Sequence, residues 1–239
     1  MLNYFISKEK LQMNVELLEK NSSESIGDYT YRTVRKNIID LNLKPGEAIT
    51  ENEIANILNI SRTPIRETFA KLVREELVEI YPQKGTFVSL IDLERVEEAK
   101  FMRLNLERAA MKLACKDFPD DVLFDLESNF NQQEFCLSKK NYILIFDLDN
   151  EMHRLIFKGC SKERVWSSIH YLNGDFDRLR VLRLSSNLDW NKIISHHRNI
   201  IKAIKEKNCE LGIKTMEEHL TLVDSDKKEL KGKYPEYFR

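Results

Sequence analysis

Apolar positions along this chain fall into two regimes that meet near residue 90. In the first, Ile54, Ala55, Ile57 and Leu58 give a short helix one apolar face, and Ile65, Phe69, Leu72 and Val73 give the next helix another. Asn59-Ile60 makes the corner between them. Ser61 is placed to cap the second helix, because a hydroxyl can accept from the open backbone N–H groups of a first turn. Pro64 falls in that turn, where a missing N–H costs little. Val78 to Tyr81 and residues 86–89 read as strands, with a turn at Pro82-Gln83-Lys84-Gly85. An earlier helix is expected over residues 29–41, capped by Asp28, with Val34, Ile38 and Leu41 inward and Pro45-Gly46 ending that region.

In the second regime, residues 92–231, Gly and Pro are rare and apolar residues recur at three and four. The spacing predicts helices over 92–115, 119–138, 141–158, 162–184, 189–207 and 209–230. Breaks are marked by Asp117-Phe118-Pro119, Lys139-Lys140-Asn141, Gly159-Cys160-Ser161, Ser185-Ser186-Asn187 and Lys207-Asn208. The fold class expected is mainly α: an N-terminal winged helix-turn-helix over 28–90, then an all-helical bundle of six to seven helices over 91–232. Residues 1–27 read as an extension and linker, flexible or docked, in which Leu11, Val15 and Leu18 have helical spacing; 233–239 read as a tail.

A chain of 239 residues is long enough for two cores. Its net charge of −1 excludes a general polycation that coats nucleic acid. Residues 31–89 carry nine Lys/Arg against eight Asp/Glu, so any DNA affinity must come from placement: Arg62, Arg66, Lys71, Arg74 and Lys84 cluster, and the acids lie mostly elsewhere. The four cysteines are dispersed with no C-x-x-C, which suggests a reducing compartment and small buried hydrophobes. No apolar run has the length of a membrane span and no signal segment is evident, so a cytoplasmic protein without a membrane partner is expected.

In a winged helix-turn-helix the second helix of the pair enters the major groove and its first residues meet base edges and phosphates. S-R-T-P-I-R-E, from Ser61, stands where such a helix begins. The alternative is a small α/β hairpin unit with a few surface arginines. Together with the lead-in L-N-L-K-P-G-E-A-I-T (residues 41–50), the stretch closely resembles the DNA-binding domain of GntR-family transcription regulators. Glu76 departs from that pattern, which usually has glycine before the L-V pair. The resemblance implies a DNA-contacting set of Arg35, Asn52, Ser61, Arg62, Thr63, Arg66, Lys84 and Gly85.

Polar residues on apolar faces mark the bundle. Asp149 and His153, four apart, share a face with Ile145, Met152 and Ile156. His197 lies in line with Ile193, Ile200 and Ile204, and His219 sits between Met216, Leu220 and Val223. A buried carboxylate is costly unless paired. Three imidazoles and one carboxylate from three helices would satisfy one another around a divalent metal, zinc first, with nickel, manganese or iron as alternatives. The other reading makes each histidine a core residue bonded to a backbone carbonyl. His170 and His196 fall off these stripes and read as surface or neighbouring residues. Arg103 shares a face with Val96, Ala99, Leu106 and Ala110; it forms either a buried pair with Glu107 or a fork for a small anion. Arg178, Arg180 and Arg183 read best as a solvated basic face, the alternative being that one of them faces the same cavity as Arg103.

The helical region is similar to the FCD-type effector domain of the FadR subfamily. The residues that carry this are D-N-E-M-H-R-L-I (149–156), H-H-R-N-I-I (196–201), M-E-E-H-L (216–220) and R-L-N-L-E (103–107). The resemblance implies Asp149, His153, His197 and His219 as metal ligands and Arg103 as an effector contact. Met152 stands for the usual Phe, His196 for the usual Glu, and K-G-C-S-K for the usual S-G-N. The expected protein is a homodimeric transcription regulator, acting by repression. It would bind double-stranded DNA at a pseudo-palindromic operator under the control of a small carboxylate effector. The alternative is a metal-dependent, hydrolase-like bundle with an incidental helix-turn-helix.

Overall fold

The computed structural model describes residues 13–184, 189–225 and 227–239. The first unit comprises α1 (Ile26–Ile39), β1 (Ala48–Ile49), α2 (Glu51–Leu58), α3 (Arg62–Arg74), β2 (Val78–Tyr81) and β3 (Gly85–Val88). The strands form one antiparallel sheet in the order β1-β3-β2, with Val78 opposite Val88 and Tyr81 opposite Gly85. Two-residue β1 is too short to leave an alternating pattern, and the sequence reading lacks it. α1 begins earlier than expected because Ser25, rather than Asp28, caps it: the Ser25 hydroxyl accepts from the Asp28 N–H. It ends before Leu41, whose φ is 61°. Thr50 caps α2 by accepting from the Glu53 N–H and donating to the Glu53 carboxylate, a reciprocal pair that fixes where the helix starts. Asn59 turns the corner at φ 53°.

The second unit is the helical bundle: α4 (Leu93–Ala114), α5 (Asp120–Ser138), α6 (Tyr142–Gly159), α7 (Glu163–Leu172), α8 (Gly174–Arg183), α9 (Trp190–Lys205), α10 (Cys209–Leu220) and α11 (Lys227–Lys233). Three of the expected breaks hold a left-handed residue, Lys140, Ser161 and Lys207, which closes the preceding helix. Two expectations need correction. The helix expected over 162–184 is broken at Asn173, whose side chain donates to Asp177 and so starts α8 afresh. The helix expected over 209–230 tightens at its end into a 3₁₀ turn, Thr221–Ser225, before α11. The breaks at Ser185-Ser186-Asn187 lie outside the described residues.

One core fills the first unit through Val34, Ile38, Ile54, Ile65 and Leu72, and Phe146 of α6 enters it. A second fills the bundle through Met111, Leu126, Met152, Ile200 and Met216. Val15 and Leu18 show no helix; the extension lies along α1, where the Asn37 amide receives the Glu16 N–H and donates to the Glu16 carbonyl. Leu11 lies outside the described residues. The 233–239 segment is not a free tail. Phe238 bridges in parallel to Ile91, the Ile91 N–H donates to the Tyr237 carbonyl, and Arg239 pairs with Glu79 of β2. Among the described residues, no helix is long and apolar enough to cross a membrane.

Candidate functional site

Two surfaces of this molecule carry chemistry. The first is the start of α3. Arg62, Thr63 and Arg66 are exposed there, with Ser61 just before them, Asn52 exposed on α2, and Lys84 and Gly85 exposed at the hairpin tip. Burial of Ile65, Phe69 and Leu72 on the opposite face turns these side chains outward. Ser61 occupies the cap position in extended backbone, but its hydroxyl makes no capping bond, contrary to the sequence reading. Arg35 also departs from expectation. It is buried, its Nε pairs with Glu75 at 2.8 Å, and its Nη atoms reach the His170 Nε2 at 2.9 Å and carbonyl at 2.7 Å. It ties α1 to α7 instead of facing outward with α3, because Glu75 ends α3 directly beside it.

The second is inside the bundle. α6 supplies Asp149 and His153, α9 supplies His197 and α10 supplies His219, all buried. One ligand atom each from Asp149, His153 and His219 lies within 4.8 Å of the others. The His197 Nε2 is 2.9 Å and the His219 Nε2 3.4 Å from Asp149 Oδ1, and the His153 and His219 Nε2 atoms stand 3.2 Å apart. The outer nitrogens explain why Nε2 faces inward. His197 Nδ1 meets the Gln133 amide oxygen at 2.5 Å, and His153 Nδ1 lies 2.5 Å from the Glu107 carboxylate, off the ideal hydrogen-bond line. Both partners are acceptors. They therefore place the ring protons on Nδ1 and leave the Nε2 lone pairs pointing at one another. Gln133 is itself held by Asn129 at 2.7 Å.

Electrostatics agree with this arrangement. Burial pushes His219 down to about 3 and lowers His197, so both rings are neutral near pH 7. Burial alone would raise Asp149, but Arg180 and the imidazoles hold its carboxyl well below the ordinary range. Glu107 is likewise brought down to about 2, because Arg103 and His153 outweigh its burial. The neutral His197 and His219 imidazoles and an ionised carboxylate, converging beside His153 Nε2, fit a divalent cation.

A cavity of about 50 Å³ opens beside this cluster, several times the ~10–15 Å³ that one water needs. Arg103, Asp149, Arg180, Arg183 and His219 line one side, and Ile145, Trp190 and Val223 contribute to the apolar remainder. Arg103 donates to Glu107 from Nε at 2.6 Å, so the ion pair of the simpler reading is present. Its Nη2 is nevertheless buried without a hydrogen-bond partner. The arginines of α8 are not the solvated face expected of them: Arg178, Arg180 and Arg183 are all buried or nearly so. His196 is buried too, with its ring 6.2 Å from that of His219.

Residues 27–88 match the family described as bacterial regulatory proteins, gntR family, and residues 98–222 match the FCD domain. The chain belongs to the GntR family. It is 26% identical over 226 residues to the HTH-type transcriptional repressor RspR of Escherichia coli K12, covering 95% of this chain and 99% of that one. It is 31% identical over 210 residues, 87% of each chain, to an HTH-type regulator in an unstable DNA locus of Streptomyces ambofaciens. In fold it is similar to E. coli McbR/YncC, with TM-score 0.76 and 18% identity over 88% of this chain and 99% of that one. A GntR regulator from Rhodococcus has TM-score 0.72 and 17% identity, covering 87% of this chain and 98% of that one. This GntR chain is a DNA-binding transcription regulator; its families and relatives are regulators, not enzymes. The hydrolase-like alternative falls with that.

Sequence reasoning missed Glu107 as a histidine partner, together with Gln133, Asn129 and Arg180. A signal was available for two of them: Asn129 and Gln133 are polar residues four apart on a face shared with buried Leu126 and Cys136. Arg180 carried no such mark among neighbours of the same type.

Proposed function

We propose that this regulator binds a pseudo-palindromic operator as a dimer, represses from it, and is controlled by a small carboxylate bound beside a divalent metal. Asp149, His153, His197 and His219 would hold the metal, zinc before nickel, manganese or iron, since nitrogen and oxygen donors suit all four. When bound, the metal supplies a cation that attracts an oxyanion. Arg103 presents its unpartnered Nη2 to the same ligand in the geometry guanidinium offers a carboxylate. The observation that carries the reading is the convergence of three Nε2 atoms on Asp149 at the wall of a cavity that is also lined by Arg103, whose Nη2 is buried without a hydrogen-bond partner. The gluconate operon transcriptional repressor of Bacillus licheniformis, 23% identical over 191 residues, is a relative whose name includes a sugar acid.

On the DNA side, Arg62, Thr63 and Arg66, with Ser61, Asn52, Lys84 and Gly85, would hold one half-site. Phosphate contacts set register and arginine at guanine edges supplies specificity. The test is binding to the DNA upstream of its own coding region at two salt concentrations. Saturable, competitor-resistant binding that weakens steeply with salt and is lost in Arg62→Ala/Arg66→Ala is the expected result. Binding that survives the double substitution would sink the assignment of this surface.

A further inference from the structure

α8 touches both the buried cluster and the segment that leads out of the DNA-binding unit. Arg180 and Arg178 are two residues apart, about 200° around a helix, so they leave α8 on opposite sides. Arg180 pairs with Asp149 Oδ2 and donates to the Asn150 side chain at 2.7 Å, and its guanidinium lies 4.7 Å from the Phe146 ring. Arg178 points the other way, wholly buried. It donates to the Ser89 carbonyl at 2.6 Å, the Ser89 hydroxyl at 3.0 Å and the Leu90 carbonyl at 3.3 Å, and it pairs with Asp175. Ser89 and Leu90 lie between the two family matches, 27–88 and 98–222, in the segment that joins the DNA-binding unit to the bundle. α8 is separated from α7 by the break at Asn173 and is short, so it can shift as one piece. Its first residue, Gly174, also abuts Leu77 at the start of β2.

We infer that α8 carries occupancy of the metal centre to the DNA-binding unit, and that Arg178 is the positioning residue through which it does so. This rests on the metal reading above. The Asp149 carboxylate is shared: His197 and His219 gather at Oδ1, and Arg180 holds Oδ2, which His153 approaches at 3.7 Å. A cation at Oδ1 draws on the same carboxylate and stands as a like charge beside the guanidinium, so the Arg180 pair loosens. An anion in the cavity offers Arg180 a partner that competes with Asp149, Asn150 and Asp177. Either event moves Arg180, and a rigid helix passes the movement to Arg178 and so to Ser89 and Leu90. The two ends need only prefer different α8 positions for the sites to be coupled.

The test uses the full chain, stripped with a chelator, with zinc alone as the probe. Zinc affinity is measured by titration, and amide hydrogen exchange is followed in α8 and at residues 89–92. The amides of Ser89 and Ile91 are hydrogen-bonded and so report opening. In the wild type, zinc is expected to change exchange at 89–92 by about fivefold or more, the lower end of typical coupling between linked sites. In Arg178→Ala, zinc affinity and the change in α8 should persist while the change at 89–92 disappears. Arg178→Lys keeps the charge beside Asp175 but not the fork; it should retain only part of the effect and serves where the alanine variant does not fold. Equal changes at 89–92 in wild type and variants would overturn the proposal and point to a route through α4. Zinc binding that leaves 89–92 unaltered in the wild type would overturn it while the metal reading stands. Failure of the wild type to bind zinc would overturn both.

Discussion

Glu76 holds a backbone φ of 57°, a conformation that glycine adopts freely and other L-residues adopt at a cost. The motif departs here from the glycine usual in GntR regulators, and Glu76 takes the left-handed conformation in the turn between α3 and β2. The Glu76 side chain gains only an exposed pair with Arg95 at 3.1 Å, which is worth little. Glu76→Gly is therefore expected to stabilise the protein by about 1 kcal/mol, less what glycine gives back in the unfolded chain. Thermal unfolding checks it, and a lower midpoint would refute it. The four residues proposed as metal ligands were legible because each broke an apolar stripe. Their partners were less so. Glu107 looks from the sequence like the mate of Arg103, and only the packing of α4 on α6 shows that its second oxygen faces His153. Arg35 misled because the resemblance that placed it among the DNA contacts says nothing of the Glu75 and His170 partners that bury it.

α7 and α8 show where periodicity runs out. Apolar spacing continues across Asn173-Gly174, so one helix was the natural reading, yet the helix is interrupted there. Gly174 is required by proximity: a Cβ at that position would stand 2.7 Å from Leu77 Cδ2, and Leu77 is itself buried and unable to retreat. Gly174→Ala should cost about 1–3 kcal/mol, as overpacking does, and should displace α8 from β2. Calorimetry gives the first quantity; an unchanged melting temperature would mean that the contact yields. The α2–α3 corner was easier to read, because Asn59-Ile60 announces the turn and Ser61-Arg62-Thr63-Pro64 the start of the next helix.

The two units meet through buried polar contacts as well as apolar ones, and their stability should share a dependence on acid. His219 is held at about 3 against an ordinary 6.5, so the unfolded chain takes up a proton that the folded chain refuses. Stability is complete above pH 6.5 and declines as pH falls from there toward 3. Glu107, lowered from 4.5 to about 2, adds a loss of the same sign in a more acidic window. Metal-free protein should melt at a lower temperature at pH 5 than at pH 7, and His219→Gln should narrow the difference; equal melting temperatures at the two pH values would count against it. Two cores and their boundary were readable from composition and spacing. The joint between them was not, because its contacts join residues far apart in sequence. Ile91 and Phe238 are the extreme case. They flank the whole helical region in the chain, yet their backbones bridge. Closing so long a loop is entropically slow, whereas the winged unit's pairings are local. During synthesis the DNA-reading unit can thus form early, while the joint that would place it under control must wait until the bundle is complete.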